Sequence, residues 1–239
     1  MVIMIIVASL LAIAFIVVRV TIGAKSVNGG VIAMFAKALA SVGFIALGLA
    51  GLFNGVKDVQ AAVFIILGLV MGLIGDIVLD MKVIYRGKAE EPVYLTGGMV
   101  SFGMGHIFYF TAICLLLGAS VVNGALIGVC LAVAAVASFA MVIGGEKFMG
   151  FKFGKFTIHS IVYAFMLIFM SAFSIGCCII MKNTKMALFA AGMILFLLSD
   201  VVLTQMYFGG RPADKSLCVI NHVLYYAAQI CIAASVFGM

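Results

Sequence analysis

Apolar stretches of about twenty residues follow one another along the whole chain, and that spacing constrains its fold more than any other feature. Wound as a helix at 1.5 Å per residue, a segment of this length crosses a hydrocarbon core of roughly 30 Å. Hydropathy and loop signals divide the chain into eight such helices, at 2–19, 31–53, 61–80, 94–117, 122–144, 157–181, 185–207 and 217–238. No segment is left over for a soluble domain, so 1–239 reads as one integral membrane domain, an all-α bundle of about eight transmembrane spans. Composition agrees, because 67% hydrophobic and 9% charged residues lie far outside the soluble globular range. The first run, Val2 to Val18, has no basic residue before it and no small-residue cleavage site after it. It reads as a retained span rather than a signal peptide.

The charges that remain set the orientation. Ten basic residues fall in the odd-numbered loops: Arg19, Lys25, Lys82, Arg86, Lys88, Lys147, Lys152, Lys155, Arg211 and Lys215. The even loops hold three, Lys57, Lys182 and Lys185, and Lys37 lies inside the second span. By the positive-inside bias the odd loops are cytoplasmic and both termini lie on the other side. The net charge of +6 therefore belongs to topology and lipid head groups, and nucleic acid is not an expected partner. The expected location is a bacterial plasma membrane, crossed several times. Of the six cysteines only Cys218 is not well inside a span, and no CxxC pair occurs. Such residues behave as small apolar side chains.

Two aspartates break the apolar pattern, Asp76 in GLVMGLIGDIVLD and Asp200 in AAGMILFLLSDVVL. A carboxylate in hydrocarbon costs on the order of 3 kcal/mol on insertion scales. It must be protonated, be paired, or face a polar cavity, and an intramembrane ionisable residue reads by default as functional. With the orientation above, Asp76 lies about one turn and Asp200 about two turns from the cytoplasmic ends of their helices. Lys37, Tyr163, Asn221, His222 and Tyr225 share that depth, and His106 is nearer the midplane. Polar side chains from several helices at one level are what a cavity open to the inner leaflet requires.

Each of these residues also has a plainer reading. Gly68, Gly72 and Gly75 serve close helix packing that holds Asp76 against its neighbours. Asp80, four residues on, is expected to be solvated at the membrane edge. Thr204 either bonds Asp200 or its own helix carbonyl. His106, with Tyr109 a turn along, is either a packing residue or part of a site. His222, Tyr225 and Gln229, with Asn221 and Tyr226 beside them, form a polar stripe that must face protein or water. Lys37 can snorkel, neutralise an aspartate or bind a lipid phosphate, and His159 is interfacial.

Soluble-enzyme motifs are absent: no GxSxG, Walker loop, HExxH or dinucleotide fingerprint occurs. Three functions remain open on the residues alone: acid–base chemistry, a metal centre, or ion-coupled transport. A metal-dependent intramembrane lipid hydrolase could draw on His106, His159, His222 and the aspartates, but a late HxxxH pair is missing. A proton-coupled carrier would use Asp76 and Asp200 as relay sites. Such carriers tend to show repeats and broken helices, whereas both prolines here, Pro92 and Pro212, fall in loops.

Five pieces in order along the chain resemble the YhhN family of lysoplasmalogenase-like membrane proteins. They are AKAL around Lys37, GLIGDIVL around Asp76, FGMGHIFYF around His106, MILFLLSDVVL around Asp200 and LYYAAQICIA around Gln229. Where the family often has Lys-Pro-Leu, this chain has Lys37-Ala38-Leu39. The resemblance implies an eight-span ether hydrolase that needs no cofactor. It would cut the vinyl-ether bond of lysoplasmalogens to a fatty aldehyde and glycerophospho-ethanolamine or -choline. That chemistry parallels glycoside hydrolysis, in which two carboxylates divide the acid and base roles. Asp76 and Asp200 are the expected pair. His106 and Tyr109 would orient water or a carboxylate, and Lys37, Tyr225 and Gln229 would hold the head group or an ionised aspartate.

Overall fold

The computed structural model describes residues 1–23, 25–85, 89–118, 124–211 and 214–238, with nothing said of the side chains of residues 83 and 84. Arg86, Lys88 and Pro212 lie outside the described residues. Eight long helices account for nearly all the rest, and no strand occurs among the described residues. They are α1 (Val2–Val18), α2 (Val27–Phe53), α3 (Val59–Ile84), α4 (Glu91–Leu117), α5 (Gly124–Met149), α6 (Thr157–Met181), α7 (Thr184–Phe208) and α8 (Lys215–Ala234). All eight are long and apolar enough to cross a membrane.

Seven helices close a ring in the order α6–α4–α3–α2–α1–α8–α7 and back to α6. Helix α8 also leans across onto α2 and α3, while α5 packs on the outside of α6. The odd-numbered connections gather at one end of the bundle and the even ones at the other, as up-and-down helices joined by short turns require. The ends are fixed by local chemistry: Ser26, Asn183 and Asp214 each accept a backbone N–H in the first turn of α2, α7 and α8.

The ends differ from the sequence expectation in instructive places. Helix α2 begins four residues early and takes in Asn28-Gly29-Gly30, which reads as a loop. A Cβ on Gly29 would lie 2.1 Å from the carbonyl oxygen of Ile22, so the glycine is there for close approach and not for a turn. Helix α5 likewise runs through Gly144-Gly145 to Met149, because Gly145 makes room for the Phe151 ring. Pro92 is in the first turn of α4, not in a loop, where its missing N–H has no helical partner to lose. Helix α8 stops at Ala234, short of 238, in tight turns that end at Gly238 with φ +78°.

One segment departs from plain α geometry. Arg19–Gly23 continues α1 as a π turn, a winding that recurs at functional sites.

Candidate functional site

Asp76 comes from the middle of the last half of α3, where Gly68, Gly72 and Gly75 leave its flanks bare. A Cβ at Gly68 would fall 2.2 Å from the Tyr109 ring, at Gly72 2.8 Å from Gln229, and at Gly75 2.9 Å from Phe102. These glycines thus do more than bring helices together. They admit the particular side chains that surround the carboxylate.

Asp76 is 1% exposed, and its two oxygens are fully engaged. Oδ1 lies 3.1 Å from Lys37 Nζ on α2. Oδ2 accepts from Ser41 Oγ at 2.6 Å and from Tyr225 OH at 2.8 Å. Behind Tyr225 the chain continues, since Gln229 Nε2 donates to its hydroxyl at 3.1 Å and Tyr109 OH donates to Gln229 Oε1 at 3.3 Å. Tyr226 donates to the Lys37 carbonyl and approaches Ser41 at 3.5 Å. A cation and two hydroxyl donors thus converge on one carboxyl.

Asp80 is not solvated at a membrane edge. It is 5% exposed, salt-bridged to Arg19, and 3.4 Å from Lys37 Nζ. The reason is that α3 runs on to Ile84, a turn beyond the sequence expectation, and the π turn of α1 folds Arg19 over it. Lys37 therefore does not snorkel. It lies between two carboxylates that a helical spacing of four places on one face.

Asp200 has a different setting. It is half-buried on α7, and its carboxylate accepts from Tyr163 OH of α6 at 2.5 Å. Among the described residues no cation lies within ion-pair distance of it. Thr204 bonds the Asp200 backbone carbonyl at 2.8 Å and leaves the carboxylate alone.

Both aspartates line one cavity of about 680 Å³. It runs from Asp76, Tyr225 and Asn221 to a rim formed by Lys25, Ser26, Glu91 and Lys215. That rim is at the end of the bundle where the basic, odd-numbered connections gather. Asp200 also borders a second, narrow apolar crevice of about 60 Å³ between α4, α5, α6 and α7, which Asp76 does not touch. Phe102, Leu79, Leu203 and Tyr207 are common to both spaces, so crevice and cavity meet beside Asp200. Val201, which also lines the crevice, is 42% exposed on the outer surface of the bundle.

The remaining candidates divide. His106 packs its ring against Phe196 at 5.1 Å and nears Tyr109 and Tyr163. It is buried and neither ring nitrogen has a partner among the described residues. It thus stands between the two carboxylate networks without bonding to either. Asn221 ties α8 to α7 by donating to the Ser199 carbonyl at 2.8 Å, which is interhelical fastening. His222 lines the cavity and engages the carbonyl of Cys218 on its own helix. His159 is exposed. Among the described residues no three His, Cys, Asp or Glu side chains group as a metal-ligand set.

The sequence reading does not place Arg19 or Ser41 at the site, nor Tyr163 as the partner of Asp200, while Tyr226 beside the polar stripe does face protein. For Ser41 a signal was available, four residues after Lys37 on the same helical face. For Arg19 there was none, because a basic residue ending a span ordinarily marks topology.

Residues 32–236 match the model of the YhhN family. The chain belongs to the YhhN family. The match spans α2 to α8 and takes in every residue of the Asp76 and Asp200 networks except Arg19. No curated protein and no solved structure matches this YhhN chain.

Proposed function

We propose that this YhhN protein is a lysoplasmalogenase-like hydrolase that cleaves the vinyl-ether bond of a single-chain lipid by carboxylate acid–base catalysis. The observation that carries this reading is the position of Asp200. It sits where an apolar crevice, suited to an alkenyl chain, meets a polar cavity, suited to a glycerol head group. The bond between those two halves of the lipid is the vinyl ether. The crevice holds only the first methylenes, and the rest of the chain leaves past Val201 into the bilayer.

The two environments divide the roles. Asp200, with one hydroxyl partner and no cation within ion-pair distance among the described residues, is the proton donor; Asp76, held by Lys37, Ser41 and Tyr225, is the carboxylate base. Asp200 gives its proton to the alkenyl carbon remote from oxygen, which leaves an oxocarbenium ion that Asp200, now anionic, stabilises. Water adds to the cationic carbon and loses a proton to Asp76, giving a hemiacetal. Asp76 then returns its proton to the departing glycerol oxygen while Asp200 takes the hemiacetal hydroxyl proton, and the aldehyde is released. Both carboxyls end as they began, so no external proton relay is needed.

The positive-inside bias supports a cavity rim on the cytoplasmic side and termini on the other. A lysolipid of the inner leaflet would then enter with its head at the rim. The test is release of long-chain aldehyde from lysoplasmalogen by purified protein, with Asp76→Asn and Asp200→Asn alongside. Turnover by wild type and loss of about a hundredfold or more in each variant are expected. Undiminished turnover in both folded variants overturns the mechanism, and no aldehyde from folded wild type overturns the reaction.

A further inference from the structure

Arg19 is the C-cap of α1 and the first residue of the π turn. A basic residue at such a place ordinarily extends to the lipid head groups, yet Arg19 is 7% exposed and lines the large cavity. The wide π turn and Gly23 account for this. A Cβ on Gly23 would lie 2.9 Å from that of Ala33 and 3.3 Å from the Arg19 side chain, so only glycine lets α2 close over the arginine. One terminal nitrogen of the guanidinium pairs with Asp80, and the group lies 5.6 Å from the Phe15 ring. Its Nε is buried and has no acceptor among the described residues.

A buried guanidinium N–H without an acceptor is costly. The pairing with Asp80 leaves the fork only partly used, and a guanidinium fork matches the paired oxygens of a phosphate. Lys25 and Lys215, exposed on the cavity rim from the α1–α2 connection and the start of α8, add positive charge along the way in. Lys37 cannot serve here, since both neighbouring aspartates hold it. We infer that Arg19, with Lys25 and Lys215 at the rim, forms a phosphate subsite that receives the phosphate of the ligand's head group. Arg19 precedes the family-matched residues 32–236, whereas Lys215 lies within them. The inference rests on the lipid-hydrolase reading only for the carrier of the phosphate.

Calorimetric titration of the full chain in a maltoside detergent tests it with three probes. They are a saturated monoalkyl-ether lysophospholipid, which has no vinyl ether to cut, the phosphate-free alkylglycerol of the same chain, and inorganic phosphate. Wild type should prefer the phospholipid, and Arg19→Gln should weaken it by roughly ten- to a hundredfold while leaving the alkylglycerol unchanged. Arg19→Lys, which keeps a cation for Asp80 but loses the fork, should weaken the phospholipid selectively as well, and it decides alone where Arg19→Gln does not fold. Competition by inorganic phosphate would assign the subsite to the free anion as well as the lipid; its failure to compete would assign it to the lipid head group. Equal weakening of both lipids, or no preference in wild type, overturns the subsite. Because the probe is not cleaved, selective binding without aldehyde production would retain the subsite and discard the hydrolase.

Discussion

Replacing Lys37 by methionine keeps an unbranched stem to the ε position and removes the charge shared by Asp76 and Asp80. In the folded protein its Nζ is 3.1 Å from Asp76 Oδ1 and 3.4 Å from Asp80 Oδ1. At an effective dielectric of about 20, each contact corresponds to roughly 5 kcal/mol of Coulomb attraction. Much of that is offset by desolvation, and breaking a buried pair costs about 3–5 kcal/mol in practice. Asp80 retains Arg19, so the loss falls on Asp76, which keeps only the Ser41 and Tyr225 hydroxyls. Reversible unfolding in a mixed-detergent titration should show Lys37→Met destabilised by that amount. The double variant Lys37→Met/Asp76→Asn should recover about 1–3 kcal/mol, because no uncompensated charge remains. The cost should change little with ionic strength, as buried pairs are poorly screened. A single variant within about 1 kcal/mol of wild type, or a double variant whose loss equals the sum of the two singles, would refute the argument that Lys37 holds Asp76.

Tyr163→Phe removes the hydroxyl that orients Asp200 without opening a cavity; kcat for aldehyde release should fall about tenfold with KM unchanged, and a KM effect alone would count against an orienting role. Gly68→Ala drives a methyl into the Tyr109 ring and should cost about 1–3 kcal/mol in the same unfolding titration, with Gly55→Ala, where φ is +86° but nothing lies within 4 Å, losing less. In a cysteine-free background, Lys152→Cys should be shielded from an impermeant maleimide applied to intact cells and Lys57→Cys labelled; both positions are exposed, and the reverse pattern would invert the proposed orientation.

The eight spans were legible in the sequence because hydrocarbon leaves few options: a backbone there must satisfy its own hydrogen bonds, and length then counts helices. Asp76 and Asp200 were legible for the same reason, since a carboxyl in an apolar run has to be accounted for. The ends were less so. Gly29 fell outside the expected second span and Gly145 outside the fifth, but a glycine that permits a turn and one that permits close approach look alike until the neighbour is known. Asp80 was misread from the same limit, because its burial depends on one more turn of α3 and on an arginine from a helix some sixty residues away.

Eight helices long and apolar enough to span a membrane, with ionisable groups inside them, follow from the sequence alone. Only the tertiary structure decided which of those groups meet. The ring order of the helices, with α8 leaning onto α2 and α3, brings Ser41 and Tyr225 to one aspartate and leaves the other with Tyr163 beside an apolar crevice. The physical reason is that helix formation is a local matter of backbone hydrogen bonds and hydropathy. The partner of a buried charge is set by packing between segments far apart in the chain.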